Sequence, residues 1–169
     1  MLIHSDGIVN GVIEERFGKR GTQFSDEGTS SRSLPFHIQD APAGTVCFAL
    51  VLEDKDAIPV CGYSWIHWTA TNLTSLGLAE NASREQPGLL QGTTSWSGKI
   101  SGKDRMAVSF YGGMAPPDKP HTYQLHVFAL DKLMDLQPGF YANELYWAMQ
   151  GHILDCATLS GSYANEANQ

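Results

Sequence analysis

Thr45-Val46-Cys47-Phe48-Ala49-Leu50-Val51-Leu52, followed at once by Glu53-Asp54-Lys55-Asp56-Ala57-Ile58-Pro59, is the stretch that decides the fold. Its first half is a nearly unbroken apolar run with β-branched and aromatic residues. The turn sequence Asp40-Ala41-Pro42-Ala43-Gly44 bounds it upstream. That pattern predicts a strand buried on both faces. The second half becomes acidic where the strand ends, and the end of a rigid buried strand is a place where a pocket can open.

Two further strands follow in the reading. Tyr63 to Leu73 (YSWIHWTATNL) is one. Period-two alternation puts Trp65, His67, Thr69 and Thr71 on one face and Ile66, Trp68, Ala70 and Asn72 on the other. His121 to Asp131 (HTYQLHVFALD) is the next, with His121, Tyr123, Leu125, Val127 and Ala129 on one face. Its other face carries Gln124, His126, Phe128 and Leu130, so His126 is turned away from His121. Shorter strands are expected at Ile8–Ile13, an edge, at Ser33–Ile38, with Pro35 at an edge or strand start, at Arg105–Tyr111 and at Leu159–Tyr163. Phe17 to Gly28 is loop, punctuated by Gly18, Gly21 and Gly28. Ser75 to about Lys103 reads as a long polar surface excursion, most structured at Gln91–Trp96. One helix is expected after the turn Leu136-Gln137-Pro138-Gly139, with Asn143 as N-cap, Glu144 in the first turn, and Leu145, Met149 and Ile153 facing the core. Strands dominate and no βαβ rhythm is present. The class is mainly β, a sandwich or Greek-key sheet with helices at one end.

The length of 169 residues favours one domain, spanning 1–169. A hydrophobic content of 42% against 17% charged suits a folded core without disulfides and argues against disorder. Acids outnumber Lys and Arg by 18 to 11, for a net charge of -7, which disfavours binding to nucleic acid or to an anionic membrane surface. Cys47, Cys61 and Cys156 are an odd, widely spaced set and read as buried or half-buried free thiols of a reducing compartment. No signal peptide or spanning segment is recognisable, so the expected location is the cytoplasm, without stable membrane insertion.

The chemistry-bearing residues come in two pairs of the same form. Trp65 and His67 sit two apart on one strand, and His121 and Tyr123 sit two apart on another. If these strands are neighbours, an indole, two imidazoles and a phenol converge, with Asp54 and Asp56 close by. Such a set suits a small oxyanion: N–H and O–H groups point at phosphate or carboxylate oxygens, while an aspartate holds the far nitrogen of an imidazole. The run Ala115-Pro116-Pro117-Asp118-Lys119-Pro120 stiffens the approach to His121. Each piece also has a purely structural reading. The histidines and tryptophans could be core or rim residues, and the aspartates could close a turn. No nucleophile elbow, phosphate loop, dinucleotide fingerprint or His-Glu-x-x-His is present.

At these residues the chain resembles the phosphatidylethanolamine-binding protein family, also called the Raf kinase inhibitor protein family, and its bacterial branch in particular. The family's Asp-Pro-Asp-Ala-Pro motif is similar to Asp54-Lys55-Asp56-Ala57-Ile58-Pro59. Its Trp/His strand is similar to Trp65-Ile66-His67-Trp68. Its Gly-x-Pro-Pro…His-Arg-Tyr motif is similar to Met114-Ala115-Pro116-Pro117…His121-Thr122-Tyr123, followed by Val127-Phe128-Ala129-Leu130-Asp131. Gly151-His152-Ile153-Leu154 and Leu159-Ser160-Gly161-Ser162-Tyr163 extend the likeness to bacterial members. The resemblance implies a two-sheet β sandwich with a small anion pocket at one end. It places Asp54, Asp56, Trp65, His67, Pro117, His121 and Tyr123 in that pocket, with no metal or cofactor. It further implies binding of phosphate-like groups or phospholipid headgroups, action on kinases or other partner proteins, and a monomer or homodimer. Lys55 and an inserted Ile58 alter the first motif and are expected to shift the acidic corner and bring a cation to the mouth. Met114 is expected to make the second wall more apolar and mobile, and Thr122 to remove a charge beside His121.

Three functions are compatible with these residues. The first, which the resemblance favours, is a non-enzymatic anion-binding module. The second is a hydrolase in which His67, His121 and Asp54 hold a metal or do acid–base work. The third is a protease inhibitor acting through the 75–103 excursion. The pocket reading also predicts that His121→Ala abolishes anion binding at little cost in stability.

Overall fold

The computed structural model describes residues 1–165, so the last four residues of the expected single domain lie outside the described part. In chain order the strands and helices begin with β1 (Leu2–His4), β2 (Ile8–Val9), β3 (Val12–Ile13), β4 (Phe36–Gln39), β5 (Cys47–Asp54), α1 (Ile58–Cys61) and β6 (Trp65–Leu73). They continue with β7 (Gly77–Leu78), α2 (Ala82–Glu85), β8 (Leu90–Gln91), β9 (His121–Leu130), α3 (Ala142–Ala148) and β10 (Ile153–Tyr163). The mainly β expectation holds. One sheet has seven strands in the order β2-β3-β10-β9-β5-β6-β8, and the other has three in the order β1-β4-β7.

β5 lies inside the large sheet between β9 and β6, and every one of its residues is buried, as its apolar run requires. Its two faces feed two cores. Phe48, Leu50 and Leu52 join Phe36 and Ile38 of β4, Leu78 of β7, and Leu125 and Val127 of β9. Cys47, Ala49 and Val51 pack instead against Phe140, Leu145 and Met149 around α3. Antiparallel β9 and β6 flank β5 on its two sides.

The simple alternation expected along β6 fails at two points, opposite Phe48–Leu50 and opposite Leu52–Glu53 of β5, and the second shapes the site. Leu52 pairs with Trp68 and Glu53 with Ile66, which leaves His67 as an extra residue, a β-bulge. Trp68 thereby shares a face with Leu52 and joins that core, and Thr69 faces the other way, opposite Val51. Trp65, Asp54's cross-strand partner, comes to lie on the same face as Trp68, although a strict period of two separates them.

Other segments also depart from expectation. Ile8–Ile13 is a hairpin, not one strand, because Asn10 (φ 51°) and Gly11 (φ 77°) make a two-residue turn with both φ positive. Residues 105–111 close into turns: Ala107 N–H donates to Asp104 Oδ1 at 2.9 Å, and Ser109 Oγ donates to the Arg105 carbonyl at 2.7 Å. The 75–103 region is folded into the body. Gln91 accepts from Trp68 Nε1 (2.8 Å) and Ser83 Oγ (2.6 Å), so polar side chains are buried there as satisfied pairs. In α3 the cap is Tyr141, two residues before Asn143, with its N–H donating to Glu144 Oε2 at 2.7 Å. Gly151, at φ 76°, ends that region, and Ile153 starts β10 instead of continuing the helix. β10 runs from there through the expected 159–163 strand, antiparallel to β9. Cys47 is buried and Cys61 half-buried as expected, but Cys156 is exposed on β10.

Candidate functional site

Register assembles the site. Asp54 is the last residue of β5, opposite Trp65 on β6 and Tyr123 on β9. One row across three strands therefore holds three of the expected pocket residues. His121 stands two residues before Tyr123 on the same face, and the bulge delivers His67 beside Trp65. A cavity of about 560 Å³ opens over this row, lined by Asp54, Trp65, His67, Pro117, His121 and Tyr123 among others.

Asp54 does two jobs. Its Oδ1 accepts the Ala57 N–H at 3.1 Å, which turns the chain from β5 into α1. Its Oδ2 lies 2.7 Å from His121 Nδ1, with side chains 5% and 0% exposed. The other His121 nitrogen, Nε2, lies 2.9 Å from Asp118 Oδ1. Burial alone would lower the His121 pKa, but the two carboxylates outweigh it and raise it above 6.5. His121 is thus clasped by two carboxylates that favour its protonated form, and Asp118 is held below its ordinary range by that same partner. The expectation that His121→Ala costs little stability does not fit this burial.

His67 is the opposite kind of histidine. It is fully buried, and burial lowers its pKa below 6.5 more than the Gly112 carbonyl and Asp54 raise it. Its Nδ1 lies 2.8 Å from Gly112 O, so the proton sits on Nδ1 in the neutral form and Nε2 carries the lone pair. Trp96 and Tyr123 meet this ring edge-on at 5.2 and 5.1 Å. The indole Nε1 of Trp65 and the Tyr123 hydroxyl are both buried without a hydrogen-bond partner. Burial and then Asp54 push the Tyr123 phenol up, so it stays a neutral donor.

Asp56 is not brought into the cavity: it does not line that space, and its Oδ2 accepts the Thr122 N–H at 2.8 Å, a backbone donor at the start of β9. Lys55 brings no cation to the mouth: Nζ reaches Gln124 Oε1 (2.8 Å) and Glu53 Oε1 (3.2 Å) on the other face of the sheet. Met114 is not a mobile wall but a fully buried core residue, its sulfur 3.1 Å from the Tyr111 hydroxyl. Ile58 is the first residue of α1, the short helix after the acidic corner, and Val60 and Cys61 of that helix line the cavity wall.

The reading of the sequence missed Ala57, Val60, Cys61, Trp96, Ile100 and Ala115 as lining residues, and Asp118 as the partner of His121. Trp96 reaches the site because its short 3-10 turn is anchored to β6, with Ile66 N–H donating to Ser95 Oγ at 2.8 Å. Gly112 makes room for it, since a Cβ there would sit 2.3 Å from the Trp96 ring. The only signal of this in the sequence was the structured look of Gln91–Trp96. Among the described residues no group of three or more His, Cys, Asp or Glu is placed to hold a metal ion. No helix among them is long and apolar enough to cross a membrane.

Comparison with known proteins agrees with this architecture. The family model described as phosphatidylethanolamine-binding protein matches residues 5–164. The protein YxkA of Bacillus subtilis is 45% identical over 150 residues, covering 86% of this chain and 89% of the relative. The crystal structure of a putative phosphatidylethanolamine-binding protein homologue from Chlamydia trachomatis superposes with a TM-score of 0.78 at 28% identity, covering 99% and 97% of the two chains. The Escherichia coli YbcL structure, with a TM-score of 0.76 at 24% identity and 96% of each chain covered, shares the fold. On this evidence the chain belongs to the phosphatidylethanolamine-binding protein family, in its bacterial branch.

Proposed function

We propose that this chain is a non-enzymatic binding protein whose cavity takes the anionic group of a small phosphate- or carboxylate-bearing molecule, phospholipid headgroups included. Occupancy then regulates a partner protein, a kinase being the partner class the family resemblance suggests, in a cytoplasmic setting. The observation that carries the reading is His121, a buried imidazole held between two carboxylates, whose Nε2 is met by one of them at 2.9 Å beside the cavity. An incoming anion that takes the place of Asp118 meets the same N–H donor, with the unpartnered Trp65 and Tyr123 donors nearby. The reading treats the unequal sheets as a Greek-key sandwich, supported by the apolar layer that β4 and β7 share with β5 and β9.

The other two readings have less support. The proposed hydrolase set is compromised because both Asp54 oxygens are already engaged, Oδ1 by the Ala57 N–H and Oδ2 by His121 Nδ1. A protease-inhibitor loop at 75–103 is at odds with the burial of Ser83, Gln91, Thr93 and Thr94. Calorimetric titration of phosphate and phosphoethanolamine into the wild type and His121→Gln tests the proposal. Saturable binding that the folded variant loses supports it. Equal binding by both proteins, or none by the wild type for these ligands and simple carboxylates, overturns it.

A further inference from the structure

Resting on that reading, we infer that the cavity's ligand is a monocarboxylate with an apolar body, and that Asp118 is the internal carboxylate it displaces. Three observations lead there. The first is charge. No lysine or arginine among the described residues lines the cavity, and Lys99, next to Ile100 in the chain, does not line it either. Lys55 is engaged with Gln124 and Glu53. Among the described residues the one group lining the cavity that carries a positive charge when protonated is His121, and Asp54 already meets it from behind at 2.7 Å. A second negative charge on a phosphate dianion would meet Asp54 with no further cation, whereas a monocarboxylate only exchanges with Asp118, charge for charge.

The second observation is shape. Asp118 shows that a carboxylate oxygen fits at 2.9 Å from His121 Nε2. Its side chain is 51% exposed while the histidine's is 0% exposed, so it can swing into water and leave the nitrogen to a ligand.

The third is the wall. Ala57, Val60, Trp96, Ile100 and Pro117 present carbon to a cavity of about 560 Å³, far more than a bare oxyanion fills. Val60 and Ile100 are 50% and 64% exposed at its rim, and an apolar body would cover them. This wall arises from Ala57 and α1, which Ile58 opens, from the Trp96–Ile100 segment, and from Pro117 in the loop before His121.

The test is calorimetric titration of sodium octanoate, acetate and inorganic phosphate into the wild type, Asp118→Ala and Ile100→Asp. Both altered side chains are at least half exposed, so the variants should fold, and circular dichroism checks that. We expect octanoate to bind at least about tenfold tighter than acetate or phosphate, since several buried methylenes add to the head contact. Asp118→Ala should tighten octanoate about three- to fivefold by removing an exposed competing ion pair. Ile100→Asp should weaken octanoate about fivefold or more and leave acetate nearly unchanged. Phosphate binding as tightly as octanoate in both wild type and Asp118→Ala overturns the ligand class while leaving the anion-binding function intact. Octanoate binding that ignores both substitutions overturns the placement. Failure of all three ligands with the wild type overturns the anion-binding function itself.

Discussion

Replacing His121 by alanine should destabilise the protein substantially. The His121 side chain is 0% exposed and the Asp54 side chain 5% exposed, and they meet at 2.7 Å. Removing one partner of such a pair leaves a buried charge without its counter-ion, which costs about 3–5 kcal/mol when water is excluded. Here the cavity lies beside the vacated space, so water can reach the orphaned Asp54, and about 3 kcal/mol is the reasonable figure. For a chain of this size that lowers Tm by about 6–12 °C. The histidine's folded pKa is raised above 6.5, so the stability it contributes through ionisation is fully present below that value. It is lost as pH rises through the raised folded pKa, and the gap between wild type and variant should narrow with it. Urea unfolding at several pH values, as a double-mutant cycle with Asp54→Asn, measures this directly. A coupling energy below about 0.5 kcal/mol, or a gap that widens with pH, would refute the buried-pair argument. For the same reason His121→Gln, which keeps a polar group of similar size, is the safer probe of binding.

Other predictions follow from neighbouring contacts. Asp56→Ala should cost about 1 kcal/mol in urea unfolding, by freeing the Thr122 N–H, and leave ligand titrations unchanged. Glu53 is held down to about 2 first by His126, at 3.0 Å, and then by Ser64 and Lys55, against burial. A depressed carboxyl stabilises the fold above its unfolded value of 4.5 and loses that contribution as pH falls towards 2, so Glu53→Gln should flatten this part of the stability–pH curve, by at most about 3 kcal/mol. In thiol labelling, Cys156 should react first, Cys61 more slowly with protection by a bound ligand, and Cys47 only on unfolding. Gly112→Ala should displace Trp96, seen as a change in indole fluorescence, because the new Cβ would lie 2.3 Å from the ring.

Much of the site was legible because it depends on short-range patterns. Asp54 had to end a buried strand, and His121 and Tyr123 had to share a face, since side chains alternate along a regular strand. The same rule misplaced Trp68, because a bulge at His67 depends on how β6 registers against β5 and leaves no mark in local composition. Asp118 was visible three residues before His121, but nothing local says that a loop carboxylate folds back onto that ring.

The apolar wall was the least legible part. Its residues come from three separate segments: the short helix after Asp54, the loop at Ala115 and Pro117, and a polar stretch whose buried serines, threonines and glutamine resemble surface until their partners are known. By itself the sequence determined the class, the strand buried on both faces, the family and the polar residues at the strand ends, because hydrophobic periodicity and motif spacing are local properties. The tertiary structure alone decided which of those polar groups face the cavity, which charges cancel, and that Asp56 and Lys55 serve other faces. Those outcomes depend on strand register and on loops meeting across the chain, where a shift of one residue turns a side chain to the opposite side.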